Sequence, residues 1–364
     1  MSDIQKATVS LVLLVESCAA ALKGLSEAHD IGDYPTSDFG TLRTDFVTIL
    51  SIIYAATTKV ALSLKPSSPQ HKASLVPLKD LTNNVAALVH SIRLMRVKEG
   101  ATIVQEYEKV ARGVIVAVQA LGMTLNSSSA TSTGTTEEYL VRTGEIHELI
   151  DNAKKSGGLS INNRDAVCRI FLRDQDSLLD AAEEIQEMCK PSADNSDEHV
   201  DDFDDGWSEL GISSSQKPSQ VELMTMEKVQ TLVKIALLLH KRIARDILSS
   251  DARSKGNLAL DKLGSFSGKL LAAFDDLISS MYAPQQASNI KLHLGSFQRV
   301  IKLIQPIIVL PPNKSLDEEF ESLSISSQSR DKNDVWFATC FEQIDNAVSR
   351  ISNSLEDTPP IDCP

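Results

Sequence analysis

The sequence is short of positive charge. Its 36 Lys and Arg stand against 49 Asp and Glu, a formal net charge of −13. Phosphate contacts need clustered cations, so direct nucleic-acid binding is argued against from the outset. Paired cysteine is lacking as well. Cys18, Cys168, Cys189, Cys340 and Cys363 are scattered, odd in number and contain no C-x-x-C. That usage suits buried thiols in a reducing compartment better than a disulfide framework. Alternating strand patterns are nearly absent. The best candidate, Ile307-Ile308-Val309-Leu310, is short and runs into Pro311-Pro312. By this reading no apolar run reaches membrane-spanning length, and no membrane partner is expected. The opening ATVSLVLLVESCAAAL resembles a signal peptide superficially, but Asp3 offsets Lys6 and Glu16 closes the apolar run. Its amphipathic pattern continues through Leu22 and Leu25, as in a core helix.

What is present is helical periodicity. Phe337, Cys340, Phe341, Ile344, Val348, Ile351 and Leu355 fall on one stripe, as do Tyr107, Val110, Val114, Ala117, Val118 and Leu121. Val229, Leu232, Val233, Ala236, Ile243 and Ile247 form a third. Ser2-x-x-Gln5, Thr135-x-x-Glu138 and Ser219-x-x-Glu222 fit the capping box, in which side chains satisfy the orphan amides of a first turn. The pattern predicts ten helices, over 3–28, 38–64, 72–97, 101–123, 136–155, 162–189, 219–249, 257–281, 286–306 and 332–355. Long helices joined by short loops favour antiparallel bundles. The expected fold is all-α: an N-terminal bundle over 1–157, a C-terminal bundle over 158–364, and a disordered acidic insertion at 190–218.

Stretches that imitate chemical motifs depart from them at the residues the chemistry needs. His147-Glu148-Leu149-Ile150-Asp151 imitates a zinc-binding H-E-x-x-H helix, but Asp replaces the second histidine, and an ordinary solvent-facing turn is the favoured reading. Gly264-Ser265-Phe266-Ser267-Gly268-Lys269-Leu270 is one residue short of a phosphate loop and lies inside a helix. His90 and His240 read as surface or internally satisfied residues. His240-Lys241-Arg242 with Arg245 sits toward a helix C-terminus, where cations complement the macrodipole. No catalytic residue, metal site or cofactor is assigned, and the chain is read as not an enzyme.

One stretch stands apart. Between Pro191 and Gln216 lie eight acids and no Lys or Arg, including DNSDEHVDDFDDGWSELG. With Gly206 as the turn glycine of a calcium loop, position 3 is Phe203 and position 12 is Ile212, so two oxygen ligands are missing. The aromatic end is not explained by a solvated tether. Phe203, Trp207 and Leu210 lie at i, i+4, i+7, and a short helix would present all three to a partner's groove. Gly206 opposes that helix by roughly 1 kcal/mol relative to Ala, so binding would supply the ordering energy.

Three segments resemble a known family. Asp334-Val335-Trp336, then Ile344-Asp345, then Arg350-Ile351 has the spacing of its final helix. Asp275-Asp276-Leu277-x-x-Ser280-Met281-Tyr282-Ala283-Pro284 is similar to a helix end in the same family. Asn163-Arg164-Asp165-Ala166 and Asp180-Ala181-Ala182-Glu183-Glu184-Ile185, followed by Trp207-Ser208-Glu209, complete the set. The order resembles the cyclin-D-interacting proteins, also called maternal-Id-like helix-loop-helix proteins. The resemblance implies two bundles of the vinculin or catenin general type and no catalytic site. It implies binding to D-type cyclins and to helix-loop-helix transcription factors, in a negative regulator of the cell cycle that moves between cytoplasm and nucleus. Asp275, Asp276, Leu277, Tyr282, Pro284, Trp336, Asp345 and Arg350 are read as structural positions of that pattern, with Tyr282-x-Pro284 closing a helix. The architecture alone also permits a cytoskeletal or adhesion-type adaptor.

Overall fold

The computed structural model describes residues 1–27, 38–128, 137–190, 218–249, 255–309 and 332–356. The acidic stretch, with Phe203, Trp207 and Leu210, lies outside the described residues. The described residues form ten α-helices and no strand: α1 (Asp3–Ser26), α2 (Phe39–Ser63), α3 (His71–Lys98), α4 (Ala101–Ser128), α5 (Glu138–Lys154), α6 (Asn163–Met188), α7 (Gln220–Arg242), α8 (Asn257–Ser279), α9 (Ala287–Ile308) and α10 (Lys332–Ser354). The fold is all-α, as the periodicity requires. It divides into two compact units, Met1–Ala166 and Val167–Pro364. That division falls inside α6; Gly157-Gly158 lies earlier, in the connection from α5, where Gly157 takes φ +75°.

In the first unit α1 packs on α3 and α4, while α2 packs on α3 and α5. Directions follow from paired residues. Ser51 meets Lys154 and Thr58 meets His147, so α2 and α5 run antiparallel. Arg96, near the end of α3, donates to the Leu25 carbonyl at the end of α1 (2.7 Å) and to Glu108 on α4 (2.6 Å). That cation therefore covers an orphan carbonyl where α1 stops. Both Ser2 and Ser219 form complete capping boxes, with Gln5 and Glu222. The third expected box does not form among the described residues: Thr135 lies outside them and α5 starts from Glu137 without a side-chain cap.

The start of α4 is held from another element. Asn163 accepts from the Ile103 amide (3.0 Å) through its side-chain oxygen, and Tyr107 donates to the Ser160 carbonyl (2.9 Å). Gly100 leaves room for Asn163, because a Cβ there would meet its amide nitrogen at 2.0 Å. Tyr107 is fully buried and meets Phe46 edge-on at 5.0 Å between ring centroids.

In the second unit the α10 stripe is buried as read, from Phe337 and Phe341 through Ile344 to Ile351. Ile307 and Ile308, the best of the few strand candidates, extend the helix expected over 286–306: α9 runs through Pro306 and ends at Ile308. Proline this near a helix end removes one backbone bond, and continuing the helix keeps Ile304 and Ile308 buried. The reading of Tyr282-x-Pro284 needs correction: it does not end α8, since the helix stops at Ser279.

The expectation about membrane-length helices is also corrected. By length and composition alone, α1, α2 and most of α4 are apolar enough to cross a membrane, with mean hydropathies of 1.6, 1.6 and 1.2. In α1, Val9, Val12 and Leu13 face outward while Leu11, Leu14 and Leu25 are buried. Averaging the two faces raises the mean hydropathy, so the number alone does not distinguish a bundle helix from a span.

Candidate interaction site

The residues of the sequence pattern fall into three places in the second unit. The first centres on Trp336. At its end α7 passes into a π-helical turn, Ile243–Leu248, whose Ile243, Ala244, Ile247 and Leu248 are all buried. Keeping those four inward leaves Arg242, Arg245 and Asp246 to interact at the edge. The Arg242 guanidinium lies 4.4 Å from the Trp336 ring centroid. It also donates to Asp246 (2.5 Å) and to Asn333 at the start of α10 (3.1 Å). Arg245 donates to the other oxygen of Asp246 (2.7 Å). The bond from Arg245, opposed by partial burial and reinforced by Arg242, holds the Asp246 carboxyl below its ordinary range. Arg242 is thus the pin between α7 and α10, a role beyond complementing a helix dipole.

Replacing Arg242 with Met is expected to cost about 2 kcal/mol, because the stacked cation goes and Asp246 keeps one partner at a mostly buried position. Arg242→Lys should recover little, since an ammonium cannot stack and fork together. Urea unfolding of the two variants beside the wild type checks both statements.

The second place is the end of α8. Leu277 is fully buried, whereas Asp275 and Asp276 are exposed. Tyr282, half-exposed, donates to Glu184 on α6 (2.6 Å), a bond that raises its phenol above the usual range. Burial, then Asp276 and Glu184, push the Asp275 carboxyl up. Pro284 follows a cis peptide bond. Beyond it Gln285 bonds through its amide to Glu222, the capping residue of α7 (2.7 Å). In the third place, Asp345 accepts from Gln298 on α9 (3.0 Å), while Arg350 is exposed and has no partner among the described residues. The structure therefore does not bring Trp336, Tyr282 and Asp345 to one cluster; each ties a different pair of elements.

Sequence reasoning missed a buried polar group in the core of this unit. Ser267 on α8 donates to Asp174 on α6 (2.8 Å), and His240 on α7 lies 3.1 Å from the same hydroxyl. Because Ser267 gives its proton to Asp174, the His240 Nε2–H must be the donor to Ser267. Nδ1 is left without a partner. The ring stacks on Phe171 at 4.5 Å, and burial drives its pKa down to about 4, against a smaller upward pull from Asp174. Ser267 and His240 are fully buried and Asp174 nearly so. The three side chains form a buried chain running His240 to Ser267 to Asp174, in which Ser267 gives its proton to Asp174 and not to the histidine, so among the described residues the set ties α6, α7 and α8 together. His147 also departs from the expected solvent-facing turn. It stacks on Tyr54 at 3.8 Å and bonds Thr58 (3.1 Å), joining α5 to α2.

Among the described residues no group of three or more His, Cys, Asp or Glu is placed to hold a metal. A groove of about 420 Å³ between α4 and α5, lined by Val116, Leu149, Arg142 and Glu148, is open to solvent. Comparison with known families then decides the relationship. The N-terminal model of the Grap2 and cyclin-D-interacting family matches residues 45–190, and its C-terminal model matches residues 203–306. The chain belongs to this family. The C-terminal match opens at Phe203 and so takes in Trp207 and Leu210; the Trp336 helix lies beyond its end. A search of curated proteins finds no match.

Proposed function

We propose that this family member is a non-enzymatic interaction protein that binds D-type cyclins, with Grap2, also named in the family's description, as a second partner class. Family membership over both halves of the chain is the observation that supports this reading. The contact residues we assign are Phe203, Trp207 and Leu210, from their one-face spacing and acidic setting. The end of α6 and the Ser219-capped start of α7, both in the second unit, flank 191–217 in the chain. By this reading the protein restrains cell-cycle progression by occupying the cyclin, in both cytoplasm and nucleus.

Trp207→Ala is expected to weaken capture of a D-type cyclin at least tenfold while leaving the circular-dichroism spectrum unchanged. The check is a pull-down across cyclin concentrations, with proximity labelling of the intact chain and of a chain lacking residues 191–216. Undiminished cyclin capture by both variants would remove the assignment to this segment and return the contact to the bundle faces.

A further inference from the structure

We infer that the outer face of α1 is an interface between two copies of this chain, packed antiparallel along Lys6, Val9, Leu13, Glu16 and Ala20. The inward stripe of α1, Ala7, Leu11, Leu14, Cys18, Ala21 and Leu25, is consumed by packing on α3 and α4. The opposite face is apolar and uncovered. Val9 is 54% exposed, Val12 41% and Leu13 53%, and only 28% of the most apolar 18-residue window of α1 is buried. Gly122 brings α4 in close beneath it, where a Cβ would meet Val15 at 3.0 Å, so the face is fixed on a rigid base.

The charge register selects the occupant. Residues 6, 9, 13, 16 and 20 alternate by three and four, the spacing of a two-helix seam. Four of the five are also symmetric about the level of Leu11: Val9 and Leu13 lie two residues either side of it, Lys6 and Glu16 five either side. An antiparallel second copy centred there sets Val9 against Leu13 of the partner subunit and Lys6 against Glu16 of the partner subunit, each pair occurring twice. A two-fold interface requires this self-complementarity, in which each residue meets its mirror position. Glu16 interrupts the apolar face and has no ion-pair partner among the described residues. Lys6 has only Asp3, at 3.7 Å, with both side chains half-exposed. A lipid surface fits less well. Asp3 and Glu16 cancel Lys6 and Lys23 on this helix, so it has no cationic rim, and it carries no aromatic side chain.

A single helix pair of this length buries on the order of 1,000 Å² in total, the lower edge of specific interfaces, so the association is expected in the micromolar range. Sedimentation equilibrium of the full chain from ~1 to ~100 µM is the test. The wild type should dimerise, and Leu13→Glu should be monomeric throughout. Lys6→Glu and Glu16→Lys should each weaken the dimer at least tenfold, and the doubly swapped chain should return to within threefold of wild type. Should Leu13→Glu fail to fold, the charge swap decides alone. A wild type that stays monomeric at 100 µM, a dimer indifferent to these residues, or a double swap without recovery would overturn the assignment. So would flotation of the monomer with neutral phosphatidylcholine vesicles that Leu13→Glu abolishes, which would give the face to lipid.

Discussion

Acidification from pH 6.5 to pH 4 is expected to remove about 3 kcal/mol from the stability of the second unit through His240 alone. The imidazole keeps an ordinary pKa of 6.5 in the unfolded chain and about 4 in the fold. Between those values the unfolded state binds the extra proton, so its population rises as the pH drops. The contribution is fully present above pH 6.5 and gone below pH 4. The structural cause is specific. Protonation places a second N–H at Nδ1, which faces no acceptor, in a ring already stacked on Phe171. Asp174 is near enough to offset part of that penalty but is engaged by Ser267 and Arg173. His240→Gln preserves a donor toward Ser267 and removes the titration. Its stability should decline less than that of the wild type over this window, by the share His240 contributes. Paired urea curves at pH 7 and pH 4.5 measure the difference, and other acid-sensitive groups cancel in the comparison. Equal declines for both proteins would mean that His240 is not the titrating group.

Gly100→Ala is expected to destabilise the first unit by about 3 kcal/mol, a large effect for one methyl group. The new carbon would stand 2.0 Å from the Asn163 side chain, which is 3% exposed and too short to swing clear. Asn163 would leave the Ile103 amide without its cap and lose its own partners together, so a lost cap and an unsatisfied buried amide add. The pair should be strongly coupled. Asn163→Ala alone is expected to cost about 2 kcal/mol, and adding Gly100→Ala to it should cost little more, since the obstacle has gone. A double-mutant cycle by thermal or urea unfolding reads this directly. Simple additivity would show that Gly100 matters for another reason.

These two sites mark where the sequence could be read and where it could not. The helices were legible because each buries a continuous stripe: Phe337 to Ile351 in α10 and Val229 to Ala236 in α7 are placed inward as their spacing requires. Periodicity also showed the capping boxes at Ser2 and Ser219, since both partners lie within four residues. The polar group in the core was not legible. Asp174, Ser267 and His240 come from three helices, the first two 93 positions apart, and one polar residue per stripe looks like an ordinary interruption. His147 was hidden in the same way, its partners Tyr54 and Thr58 lying on a distant helix. Arg242 was visible as a cation near a helix end, but its place over Trp336 depends on how α10 crosses the π-helical turn. Family-pattern positions such as Tyr282 and Asp345 could be named from spacing, yet their separate tasks appear only once α6 and α9 are in place.

Calorimetric titration of the purified full chain with a purified D-type cyclin tests the proposed binding most directly. Saturable one-to-one binding, weakened at least tenfold by Trp207→Ala and unaffected by Arg350→Ala, is the predicted result. No heat and no complex at cyclin concentrations up to 100 µM, with both proteins folded, would contradict it.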